Sequence, residues 1–291
     1  MNHFLQANQS WLSLYWQALL KRDNLKGARS IELPSTDCRQ SNFVINANHL
    51  AKFKLLCGYD ATSPGIPPTY LQMMALPAQL TLIIRPEVPF AALGLVHQDN
   101  RVEVYTRLDE SMQFDLNTRV TNCRATEKGW LFDIVTDVYS GQQLVMTATA
   151  SILKRIKGLT VDPSHLASLP NLPGLREFAM GEPFGVESNI GRRYAVLSGD
   201  YNPIHMTALT AKLFGFNRAI AHGMWTKAML IRQVVDDCYG PGFFVGHFKT
   251  PLELPGEVAI GRQLDAVDRW YCLINRKRNR PVMYFSAGQL G

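Results

Sequence analysis

Tyr194-Ala195-Val196-Leu197-Ser198-Gly199-Asp200-Tyr201-Asn202-Pro203-Ile204-His205 is the stretch on which the reading of this 291-residue chain turns. Asn202-Pro203 favours a turn, and Pro203 disfavours helix at the residue before it. The segment is therefore expected to be a sharply shaped loop that brings Asp200 and His205 to one point. A carboxylate beside an imidazole can divide the two proton transfers needed to add water to a double bond. One group takes a proton from water while the other delivers one to the carbon next to a carbonyl. Taken singly, each residue also has a plainer reading. Asp200 could be a turn or cap residue, Asn202-Pro203 an ordinary turn, and His205 a satisfied core histidine.

Working downstream, Ala219–Val235 reads as a helix, with Gly223 at or near its start. Free N–H groups and the positive end of the helix dipole gather there, and glycine lets another group approach the backbone. A structural glycine is the plainer alternative. His222 is read as orienting the loop. Asp200, His205 and His222 could together bind zinc, but no H-x-x-x-H or H-x-x-E-H motif is present. Asp236 and Asp237 adjoin near a helix end and would face apart. No G-x-G-x-x-G, no G-x-x-x-x-G-K-S/T and no G-x-S-x-G run occurs, so nucleotide cofactors and a serine hydrolase lose their usual signs. Strands are expected near Phe243–Phe248, Glu257–Val267, Trp270–Asn275 and Val282–Ala287. The basic run Arg276-Lys277-Arg278-Asn279-Arg280 fits a solvated hairpin turn, with a phosphate or carrier-protein contact as its second reading.

YAVLSGDYNPIH with Ala211 behind it, GFNRAIAHGM from Gly215 to Met224, and HFKTPLELPGE over 247–257 resemble the MaoC-like, R-specific enoyl-CoA hydratases and dehydratases. The resemblance implies a double hotdog of the α+β class: two units, each a long helix wrapped by an antiparallel sheet. It implies Asp200 and His205 as the acid–base pair, the Gly223 N–H as oxyanion donor, and Asn202 as a positioning group. It implies an acyl-CoA thioester substrate, reversible hydration to the (R)-3-hydroxyacyl thioester, and no cofactor. An acyl-carrier-protein substrate, a thioesterase of the same fold and a non-catalytic acyl-CoA-binding module are the alternatives.

The first half matches this family only loosely. Phe114–Ala125, Trp130–Tyr139 and Leu144–Ile152 alternate apolar and polar residues between turn signals, an antiparallel meander with one buried face. Residues 10–21 have the apolar spacing of a helix packed on its own core, with a membrane-surface helix as the rival. Prolines and terminal glycines mark 158–174 as a connection, giving a degenerate first unit over 1–157 and a catalytic unit over 175–291. A faint repeat supports two copies: LAKFKLLCGYD lies along RRYAVLSGDYN, shifted by one residue from end-to-end register so that Leu56 falls on Leu197 and Gly58 on Gly199. IPPTYLQMMAL lies over IAHGMWTKAML. Tyr59 then falls where the second copy has Asp200, with no counterpart of His205. The shorter first-half connection leaves room for an acyl chain beside Tyr70, Met73, Met74 and Leu80, and Lys249 joins them as a substrate-binding candidate.

Composition narrows the classes. Hydrophobic residues at 46% and charged residues at 19% exclude a disordered chain. Thirty Lys+Arg against 24 Asp+Glu give +6, which suits the phosphates of coenzyme A or an acidic carrier protein. No basic stripe with interleaved aromatics argues for nucleic acid. Five scattered cysteines without a C-x-x-C pair fit a reducing compartment. No span of about 20 apolar residues suggests a membrane helix. A cytoplasmic enzyme is expected, and a homodimer stays open.

Overall fold

The computed structural model describes residues 4–6, 11–25, 30–156, 166–167, 170–263 and 270–290. Most of the connection 158–174, Ser10 of the N-terminal helix and the end of the expected Glu257–Val267 strand lie outside the described residues. In chain order the first elements are β1 (Phe4–Gln6), α1 (Trp11–Leu20), β2 (Asp37–Val44), α2 (Ala47–Leu56), α3 (Pro68–Met74), α4 (Leu76–Ile83) and β3 (Leu95–Val104). Next come β4 (Gln113–Thr126), β5 (Gly129–Ser140), β6 (Gln143–Arg155), β7 (Phe178–Met180) and β8 (Phe184–Val186). The chain continues with α5 (Ile190–Ser198), α6 (Ala208–Lys212), α7 (Gly223–Val234), β9 (Gly242–Phe248), β10 (Gly256–Gln263), β11 (Trp270–Asn275) and β12 (Arg280–Gly288).

Contacts divide the chain into two compact units that interleave along the sequence. One comprises 1–44, 74–100 and 113–171; the other comprises 45–73, 101–112 and 172–291. The expected division followed chain order, whereas residues 45–73 and 101–112 of the first half pack with the second. The reason is specific. Trp225 donates its indole N–H to the Leu56 carbonyl at 3.0 Å, and Tyr59 donates its hydroxyl to the Ala228 carbonyl at 2.9 Å.

In the first unit β4, β5 and β6 form the expected meander, β2 extends it antiparallel to β4, and β1 runs parallel to β2. Ala78, Leu82 and Ile83 of α4 pack on Cys38, Val120, Phe132, Ile134, Ala150 and Ile152, with Phe90 stacked on Phe132 at 4.7 Å. The helix here is not one long rod. It is the eight-residue α4, since residues 68–73 of α3 belong to the other unit, and Pro77 sits in the first turn of α4, where a missing N–H costs nothing. α1 packs on α4, burying Leu14 and Ala18. Lys21 donates to the carbonyls of Ile83, Arg85 and Val88 at the end of α4, which fastens α1 to this core.

In the second unit the antiparallel order is β9-β12-β11-β10-β7, with β8 also on β10. Every residue of α7 from Trp225 to Ile231 is buried, so this helix is enclosed all round and not amphipathic. Its charged member, Lys227, is fully buried and donates to the Phe244 carbonyl at 2.9 Å. The helix begins at Gly223 and not at the expected Ala219, because Ile220 is extended and bridges Glu253. Residues 276–279 make the turn between β11 and β12. No described helix is long and apolar enough to cross a membrane.

Candidate functional site

The loop is shaped at its start by the end of α5. Gly199 adopts φ +75°, a left-handed conformation that L side chains resist, and its N–H closes the helix on the Ala195 carbonyl at 2.9 Å. The chain reverses and places Asp200 just beyond. Asn202 then caps a single 3₁₀ turn over Pro203–His205, with Pro203 at its first position. That turn lies against the start of α5 because residue 191 is glycine: a Cβ there would stand 2.3 Å from the His205 carbonyl oxygen. Sequence and packing thus hold the carboxylate and the imidazole on one short arc.

His205 is buried, and its Nδ1 lies 2.8 Å from the Ile220 carbonyl oxygen. A carbonyl only accepts, so Nδ1 carries the proton and Nε2 keeps its lone pair. Burial, followed by the neighbouring His222, pushes the His205 pKa from 6.5 down to about 4, against the opposing pull of Asp200 and the Ile220 carbonyl. The ring is therefore neutral near pH 7 and can accept a proton. Asp200 is about one third exposed, with its side chain at 34%, and Oδ1 accepts the Asn202 backbone N–H at 3.2 Å. Asn202 shapes the loop in two ways, since its own Oδ1 also accepts the Ile204 N–H at 3.4 Å.

Gly223 is the first residue of α7, where backbone N–H groups have no partner within the helix. The Phe248 ring lies close beside it, 3.0 Å from where a Cβ would be. His222, read from sequence as a loop-orienting residue, stands fully inside the cluster. Its ring stacks on His205 with centroids 3.6 Å apart, and its Nε2 donates to the Asp200 carbonyl at 2.9 Å. Side-chain atoms of Asp200, His205 and His222 all lie within 4.8 Å of one another. This is compact enough for a metal ion, yet one nitrogen of each ring is already engaged by a backbone carbonyl.

The other candidates are dispersed. Tyr70 is buried in the same unit, with its hydroxyl 2.9 Å from His49 Nδ1 and its ring edge-on to Phe53. Met73 is buried in that unit, whereas Met74 and Leu80 are half-buried and belong to the other. Lys249 is exposed directly after Phe248 at the end of β9. Two further residues make contacts that the sequence reading did not assign. His49 of α2 reaches the Leu197 carbonyl at 2.9 Å, and Tyr194 of α5 packs on His222 with ring centroids 4.9 Å apart. Both act across long sequence separations that a motif does not record.

A family model described as "MaoC like domain" matches residues 182–264, which contain Asp200, Asn202, His205 and Gly223. The chain is 28% identical over 236 residues to 3-hydroxyacyl-thioester dehydratase X of Mycobacterium tuberculosis, covering 80% of this chain and 81% of that protein. It is 26% identical over 232 residues to the peroxisomal enoyl-CoA hydratase 2 of Arabidopsis thaliana, covering 74% and 75%. The crystal structure of HtdX from M. tuberculosis superposes with a TM-score of 0.73 at 23% identity, over 87% of this chain and all of that one. A conserved M. tuberculosis protein with a double hotdog fold superposes with a TM-score of 0.52 at 11% identity, over 86% and 94%. Residues 182–264 are therefore a MaoC-like domain, carried by a double hotdog chain that is homologous to the 3-hydroxyacyl-thioester dehydratase X.

Proposed function

We propose that this chain is a hydro-lyase that adds water reversibly to a trans-2-enoyl thioester, giving the (R)-3-hydroxyacyl thioester. The observation that carries the reading is the meeting of the Asp200 carboxylate, the neutral His205 ring and the start of α7 within one unit. The relatives' names support it, since one is called a 3-hydroxyacyl-thioester dehydratase and the other an enoyl-CoA hydratase. These are two directions of one reaction, and a catalyst does not set its equilibrium.

In the proposed mechanism one water donates its two O–H bonds to Asp200 and to His205 Nε2. Its oxygen bonds to C3 as the C2–C3 π electrons shift toward the thioester carbonyl. The proton that the water gives up is held by the pair and returned to C2, so the enzyme ends as it began. The negative charge on the carbonyl oxygen in between calls for a preorganised donor, and the Gly223 N–H at the positive end of α7 supplies one. Tyr70 and Met73 are proposed beside the acyl chain, and Lys249 as a contact for the carrier's phosphates, in keeping with the net charge of +6. The five cysteines are free thiols, which supports a reducing compartment such as the cytoplasm.

The test is direct. Purified protein mixed with crotonyl-CoA is expected to bleach the conjugated enoyl-thioester absorbance, and chiral analysis of the product should return the R isomer. Binding without turnover on crotonyl-CoA and on longer enoyl-CoAs would convert the reading to an acyl-CoA-binding module. Turnover only on acyl-carrier-protein thioesters would move the substrate class to that carrier. Release of free thiol in place of hydration would make the chain a thioesterase.

A further inference from the structure

One side chain touches every part of the proposed machinery without belonging to the acid–base pair. His222 is 3% exposed and is the N-cap residue of α7, yet its side chain does not cap that helix. Its backbone makes the ordinary first bond of the helix: the His222 carbonyl accepts both the N–H of Thr226 and the Thr226 hydroxyl, each at 3.1 Å. The imidazole is thereby free to reach the opposite way. Its Nε2 donates to the Asp200 carbonyl at 2.9 Å and stands 3.8 Å from Asp200 Oδ2. Its plane stacks on His205 at 3.6 Å with a 27° tilt, and Tyr194 packs on it as well. The next residue in the chain is Gly223.

We propose that His222 is a positioning residue for the hydration, a clamp that fastens the Asp200–His205 loop to the helix start that presents the Gly223 N–H. The inference rests on the proposed hydratase reading and deepens it. An acid–base pair and an oxyanion donor act on one substrate only if their separation is held to a fraction of an ångström, and a displacement near 1 Å can cost about a hundredfold in rate. Loop and helix are separate elements here, with α6 between them in sequence. Ile220 supplies a second tie through His205 Nδ1, but it lies before the turn into α7. His222 is bonded to Asp200, stacked on His205 and peptide-linked to Gly223.

The ring's own state fits this role. Nε2 faces a carbonyl and so carries the proton, which leaves Nδ1 as an acceptor, buried and without a hydrogen-bond partner among the described residues. A protonated ring would place a second N–H at Nδ1 with nothing to receive it, and burial lowers the pKa accordingly. A neutral ring can also lie face to face with neutral His205, where two cations would repel.

The proposal is tested by two near-isosteric replacements assayed with crotonyl-CoA beside an active wild type. The amide of Gln reaches the position of Nε2, whereas that of Asn reaches only the position of Nδ1. His222→Gln, which keeps a donor toward the Asp200 carbonyl, is expected to retain kcat within about fivefold. His222→Asn is expected to lose kcat by about fiftyfold or more with KM moved less than about threefold, the pattern of a lost transition-state arrangement. Thermal midpoints of the two variants should agree, which separates positioning from folding. Equal kcat for the two variants, or a loss confined to KM, overturns the clamp. If Asn unfolds, His222→Ser and His222→Thr take its place, and either retaining the Gln-level rate overturns it. A wild type with no turnover on any enoyl thioester sinks the hydratase reading, and the clamp with it. Equal variants beside an active wild type sink the clamp alone.

Discussion

Two segments of the second unit, 46–73 and 189–234, follow one plan and differ in what they present. Each begins with a helix ended by a left-handed glycine, Gly58 at φ +81° and Gly199 at φ +75°, and each leads through a connection into a second helix. Phe53 and Tyr194, at matching positions before those glycines, pack against one another with centroids 6.5 Å apart. Equivalent residues in mutual contact are what a duplicated unit produces when its copies pair. Beyond the glycines the copies part. Where the second has Asp200, about one third exposed, the first has Tyr59, which is 3% exposed and bonded to the Ala228 carbonyl. Where α7 opens with Gly223 and its N–H, α3 opens with Pro68, which has none. The first connection holds no histidine. A backbone plan can therefore persist while the carboxylate at the position of Asp200 and the histidine of the connection are missing from one copy. What remains there serves the interior of the fold.

The contrast is most severely tested at the pair itself. Asp200→Asn and His205→Gln are each expected to lower kcat by at least about a hundredfold, the lower range for acid–base groups. Folded variants that hydrate crotonyl-CoA at the wild-type rate would erase the distinction between the copies. Next comes pH. The His205 pKa lies at about 4 in the fold against 6.5 ordinarily. As pH falls the unfolded chain therefore takes up this proton first. The stability that neutral burial contributes is complete above about 6.5 and is lost on the way down to about 4, on the order of a few kcal/mol. Urea unfolding of wild type and His205→Gln at pH 7 and pH 5 should show the wild type losing more, and parallel losses would assign the titration elsewhere. The smallest effect belongs to the first copy. Tyr59→Phe leaves the Ala228 carbonyl without its hydroxyl partner and is expected to cost about 1 kcal/mol in stability, with turnover within about twofold. A rate loss comparable to that of Asp200→Asn would mean that the first copy takes part in the chemistry.

The sequence carried the meander of β4, β5 and β6 because alternation and turn residues agree there, and each strand has one continuous apolar face. It carried the shape of the Asp200–His205 loop because glycine, Asn-Pro and the spacing of Asp200 and His205 are local chemistry. Three features stayed hidden for physical reasons. β2, DCRQSNFV, buries only Cys38 and so shows no apolar period. α2 places Lys54 in the interior, 1% exposed, where it is held by Glu110 at 2.7 Å and the Ser63 carbonyl at 2.8 Å, partners that lie well away in the chain. The run MMALPAQLTLII, which Pro77 and Gln79 interrupt in sequence, is divided earlier in the structure, between Met74 and Leu76. The start of α7 was misplaced because Ala219, Ile220 and Ala221 suit a helix by composition, and only their bonds to Leu252, Glu253 and Leu254 make them extended. His222 was legible as a loop-orienting residue. Its contact with both catalytic candidates was not, since stacking is a tertiary fact.

The hydrogen bonds from Trp225 to Leu56 and from Tyr59 to Ala228 also bear on modularity. A gene fragment beginning at residue 175 would carry all four proposed catalytic residues, yet it would leave an indole N–H without its acceptor on an otherwise enclosed helix. The aromatic face of Tyr194 would likewise lose Phe53. The apparently idle segment is thus an internal scaffold, and the active copy is not a portable part. Lineages that shed the first half would need to recover its surface from elsewhere, most simply by pairing with another copy of themselves.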